Sequence, residues 1–65
     1  MVTRHLVVRA KDVAFLKGVV EAHDGLAAVF AEKGGDLVLA APANRERDLD
    51  ALVTDLAREL GGVAS

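Results

Sequence analysis

Two histidines, an interleaved run of charges and one lysine–glutamate pair are the groups in this chain with the widest chemical repertoire. His5 and His23, joined by a carboxylate such as Asp24, would make a transition-metal site if the three converged. They fall on different elements and show no ligand spacing, so no metal site is expected. The segment ANRERDLD, residues 43–50, brings Glu46, Asp48 and Asp50 close together. Such carboxylates serve acid–base work or hold a cation. At the start of a helix they also complement the dipole, and Arg45 and Arg47 neutralise them, so a solvated face is expected. Lys17 and Glu21, four apart, would reach a polar ligand only as an ordinary surface pair does. No nucleophile is prepared: Thr3 and Thr54 lack an adjacent base, and Ser65 is the last residue. The expectation is a protein that is not an enzyme, with no catalytic residue and no cofactor.

Composition narrows the partners. The chain has 65 residues, a formal net charge of −2 and no cysteine, which removes disulfides and thiolate metal sites together. Acidic and basic residues are interspersed, and Phe15 and Phe30 are the only aromatic residues. Neither a basic stripe for phosphates nor a stacking platform for bases results, so nucleic acid is not an expected partner. The apolar runs are too short to span a membrane, and no stretch of signal-peptide length follows Met1, so a cytoplasmic location is expected. Hydrophobic residues make up 52% of the chain, a high share for a domain whose single core supplies only ~3–5 kcal/mol. That excess points to burial by association.

The hydrophobic period changes along the chain. VTRHLVVR, residues 2–9, alternates as a strand. In KDVAFLKGVVEAH, residues 11–23, Val13, Leu16 and Val20 fall at helical spacing, with Asp12 in the first turn and Gly25 as the stop. Gly18 lies on the outer side of that helix. Residues 26–33 and 36–41 form two strands around Gly34-Gly35, a two-residue turn that opposes Lys33 to Asp36. Unbroken, that register opposes Ala31 to Val38, Phe30 to Leu39 and Ala28 to Ala41. Pro42 ends the strand, Asn44 is the expected N-cap, and Leu49, Leu52, Val53, Leu56 and Leu60 stripe a second helix over 45–60. Gly61-Gly62 stops it, leaving residues 63–65 as a tail after a single domain at 1–62.

The order βαββα and right-handed crossovers give an α+β split-βαβ, ferredoxin-like fold. Its three-stranded antiparallel-type sheet has strand order 1-3-2, two helices on one face and no fourth strand. Leu6, Val8, Leu26, Phe30, Leu37 and Leu39 are expected under the helices. The opposite parity then leaves Val7, Ala27, Val29, Ala31, Val38 and Ala40 on an uncovered face. A solvated face carries polar residues, whereas a small apolar one suits a second sheet ~10 Å away. Without a fourth strand, the first strand is also an open edge.

Asp12, Ala14, Leu16, Lys17, Glu21, Gly25, Leu26 and Ala27 fit a D-x-A-x-L-K-x-x-x-E-x-x-x-G-L-A pattern that is followed by a hairpin and a helix. In this the chain resembles a family of short bacterial proteins catalogued as a domain of unknown function. That resemblance implies the fold and no activity. Known sites on this fold do not carry over: RAKD, residues 9–12, lacks the glycine-rich loop of acylphosphatase-like enzymes. It also lacks the Pro-Gly-like turn of amino-acid-binding regulatory domains, and metal chaperones need paired cysteines.

Two functions of different classes follow as expectations. The first is a small interaction module that self-associates, as a dimer in the simplest case, through the uncovered face, the edge of the first strand or both; another protein is the other partner considered. The alternative is a small-molecule sensor with a ligand held at the dimer seam by Arg9, Lys11 and His5, near the loop before the first helix.

Overall fold

The computed structural model describes residues 1–23 and 25–64. The roles expected of Asp24 and Ser65 lie outside the described residues. Six elements follow in the order β1 (Val2–Val7), α1 (Val13–Ala22), β2 (Ala28–Lys33), β3 (Asp36–Ala41), α2 (Glu46–Leu60) and β4 (Val63–Ala64). The sheet runs β2-β3-β1-β4, and each neighbouring pair is antiparallel. Both helices cover one face. Leu6, Leu37 and Leu39 from the sheet meet Leu16 and Val20 from α1 and Leu49, Leu52, Val53 and Leu56 from α2 in one core, sealed by Leu26.

The fourth strand corrects the expected three-stranded sheet and, at residues 63 and 64, the expected tail. Gly61 takes the left-handed conformation at φ 65° and ends α2, its N–H bonded to the Ala57 carbonyl. The chain then turns back, and Val63 and Ala64 pair with Val7 and Leu6. Gly62 makes this approach feasible: a Cβ there would lie 2.8 Å from the Val7 carbonyl oxygen and 2.9 Å from Val8 Cγ1. Two residues are too few to carry a period-2 signal, so the strand has no signature in its own sequence. The chain thus completes the β-α-β-β-α-β order of the split-βαβ arrangement with a stub.

The hairpin register needs a second correction. Lys33 does oppose Asp36, but a bulge between Ala31 and Lys33 adds one residue to β2. Beyond it Ala31 opposes Leu37, Val29 opposes Leu39, Phe30 opposes Val38 and Ala28 opposes Ala40. A one-residue slip exchanges the faces of every residue after it. Phe30 therefore leaves the helix side, and Val29 and Ala31 enter it. The turn itself depends on both glycines for different reasons. Gly34 has φ 58°. Gly35 has no room for a side chain: a Cβ would stand 1.6 Å from the Val8 carbonyl oxygen. That contact goes with the bond from Val8 N–H to the Gly35 carbonyl, 2.9 Å, which locks the end of β1 to the hairpin.

Helix starts are delayed relative to expectation. Ala10–Asp12 and Ala43–Arg45 form short 3-10 turns before α1 and α2. After Pro42, the Arg45 N–H bonds back to the Pro42 carbonyl at 2.9 Å. This closes a tighter turn and places Asn44 inside it, so Arg45 rather than Asn44 occupies the N-cap position, without a side-chain cap bond.

Candidate functional site

Alternation on the three long strands sets out the face opposite the helices. β1 presents Thr3, His5 and Val7, β3 presents Ala40, Val38 and Asp36, and β2 presents Ala28, Phe30 and Lys33. Val63 of β4 lies beside Val7. Phe30 is 57% exposed, Val7 44% and Val63 66%, on the side of the sheet away from both helices. Ala40 is closed off between Thr3 and Ala28. The surface carries apolar Phe30, Val38, Val7 and Val63, with a polar contact set among them at its centre: the His5 ring hydrogen-bonds the Asp36 carboxylate across the β1–β3 pair. Lys33 closes the same row from β2.

Of the residues expected on this face, Val7, Val38 and Ala40 are there. Val29 and Ala31 are on the helix side, opposite Leu39 and Leu37, and Ala27 precedes β2 and packs with Val29 against the core. Phe30 and Ala28 take their places. The first strand is also only partly an open edge: β4 covers Leu6 and Val7, leaving Val2–His5 unpaired on that side among the described residues. The outer edge of β2 is likewise unpaired, and its bulge and its Glu32 and Lys33 charges interrupt it as a template for another strand.

Arg9, Lys11 and His5 do not gather. His5 is bound to Asp36 in the middle of the sheet, whereas the Arg9 Nε donates to Asp12 Oδ2 at 3.4 Å and Lys11 is exposed in the 3-10 turn. His5 and Arg9 are four positions apart, roughly 13 Å along an extended chain. Lys17 and Glu21 make no ion pair with each other, and among the described residues no three metal-ligating side chains cluster. No helix among the described residues is long and apolar enough to cross a membrane.

Arg4 has no counterpart in the sequence reading. It lies on the helix side of β1 and reaches over the flank of α2, with Nε donating to Asp50 at 2.7 Å and a terminal nitrogen to Glu46 at 2.6 Å. Hydrogen bonds to Asp50 and then Glu46 raise its pKa above the ordinary arginine range. A charge at an inward position of a strand is tolerated here because α2 brings two carboxylates to its rim. The spacing of Glu46 and Asp50, one turn apart, was the available signal.

Fold and surface together define a small α+β domain with one sealed and one bare sheet face. The family model described as Domain of unknown function (DUF4911) matches residues 6–60, and the chain belongs to that family. Searches of curated proteins and of solved structures found no match.

Proposed function

We propose that the chain is a non-catalytic interaction module that self-associates, two copies meeting through the bare sheet face about a twofold axis. One observation carries this reading: Phe30, Val7 and Val63 stand exposed on a face that neither helix covers. Exposed large apolar side chains gathered on one face are the usual mark of an association surface. A twofold contact lets each patch cover its own copy, so a single surface suffices. Small residues in the row next to Phe30, Ala28 and Ala40, allow two sheets to approach to ~10 Å. The partly uncovered edge at Val2–His5 offers backbone groups to the same assembly.

Light scattering coupled to size exclusion tests the reading. Wild type is expected to elute as a dimer at micromolar concentration. Phe30→Lys and Val38→Glu are expected to give monomers with an unchanged circular dichroism spectrum. A monomeric wild type, or folded variants that both stay dimeric, contradicts it.

A further inference from the structure

A second surface lies between the helices, on the far side of the molecule from the bare sheet. Phe15, Val19 and His23, at i, i+4 and i+8, form the wall that α1 presents to α2. Opposite them, Leu52 and Leu56 give the floor, and Asp55 and Glu59 stand above it. This hollow, about 320 Å³, runs into another of about 310 Å³ that shares His23, Leu52 and Asp55 and ends at Arg45 and Asp48. The result is one open groove along the helix pair, with an apolar floor. Phe15, 57% exposed, is its largest unburied side chain.

Charge is distributed unevenly along its rim. Asp48, Asp55 and Glu59 all belong to the α2 wall, at i, i+7 and i+11. Arg45 Nε bonds Asp48 at 2.8 Å, whereas Asp55 and Glu59 form no ion pair among the described residues. An apolar trough with carboxylates on one bank complements a helix with an apolar ridge and cations on one flank. Neither helix of this chain has that character. The apolar ridges of α1 and α2 already lie in the core, and a copy of α2 would bring carboxylates against carboxylates.

We propose that the α1–α2 groove docks a helical segment of another protein, one with an aliphatic ridge and Lys or Arg residues along the flank that meets Asp55 and Glu59. This binding is separate from the self-association proposed for the sheet face, because the two surfaces share no residue.

The test uses the full chain and two synthetic peptides: leucines at i, i+3, i+4, i+7 flanked by lysines, and a twin with glutamates for the lysines. Titration followed by amide chemical shifts is expected to give saturable binding of the lysine peptide. The shifts should centre on Phe15, Val19, His23, Leu52 and Asp55, and binding should weaken as salt rises. An Asp55→Lys/Glu59→Lys double variant is expected to lose at least tenfold in affinity. Phe15→Ser, at an exposed position, supplies a second variant with the same expected loss if the double variant fails to fold. Equal binding of the glutamate twin, shifts centred on Phe30 and Val38, or no saturable binding overturns the proposal. Light scattering on the same samples reports the oligomeric state independently.

Discussion

The two faces of the sheet are made from neighbouring residues of similar type, yet they have opposite fates. Leu37 and Leu39 are wholly buried while Val38, between them, keeps part of its surface exposed, and Leu6 is sealed while Val7 next to it is exposed. Alternation sorts residues into two sets, but it does not say which set the helices will cover. That choice falls to α1 and α2, whose leucine and valine stripes fill one side. The bare side keeps Phe30, which a purely hydrophobic ranking would bury. A large aromatic ring left outside shows that register, set by one bulge, outweighs the preference of an individual side chain.

Five substitutions probe this inequality, the first two as a matched pair and the rest in decreasing order of expected effect. Leu39→Ala removes a fully buried side chain, which costs ~2–5 kcal/mol, against a total stability of roughly 3–5 kcal/mol for a core of this size. The variant is expected to lose its cooperative thermal transition. Val38→Ala, one residue away on the other face, is expected to melt within ~1 kcal/mol of wild type at concentrations too low for association. Equal damage from the two would erase the distinction between faces.

Gly35→Ala comes next. Its new methyl collides with the Val8 carbonyl, a backbone atom that can yield only if β1 parts from the turn. A loss in the upper part of the ~0.5–3 kcal/mol range is expected in urea melts. Gly18→Ala should act in the opposite sense. Nothing lies within 4 Å of the added methyl, and alanine is better than glycine in a helix interior by ~0.8–1 kcal/mol. A rise in melting temperature is the expected readout, and a fall would mean that this face of α1 is occupied.

The smallest effect belongs to Arg4→Gln. Its ion pairs with Glu46 and Asp50 are partly exposed, so a slight fall in melting temperature is expected, disappearing at high salt. Because the folded-state pKa of Arg4 is raised, its contribution is fully present below the ordinary arginine range and is lost only above it. The titration of Arg4 itself therefore gives no pH dependence at acid or neutral pH.

Much of the fold is legible in the sequence because long amphipathic segments state their own period. The stripe from Leu49 to Leu60, the Gly34-Gly35 turn with Lys33 against Asp36, and the stop at Gly61 are all found where composition puts them. What escapes are features that depend on a distant neighbour. The bulge after Ala31 adds a residue without glycine or proline to mark it. Gly62 reads as a second helix stop, yet its lack of a side chain matters because β1 passes beside it. His5 looks available to a ligand until Asp36, 31 positions later, is brought beside it. As a result Val7, Val38 and Ala40 are assigned to the bare face from sequence, while Phe30 and Ala28 on β2 are found only once the register is seen.

The most direct measurement mixes isotope-labelled and unlabelled chains and records filtered nuclear Overhauser contacts between them. If a second copy covers the bare face, contacts between protomers appear at the Phe30 ring and the methyls of Val7 and Val38. A mixed sample with no contacts between protomers at those three residues contradicts the central claim, whatever its size in solution.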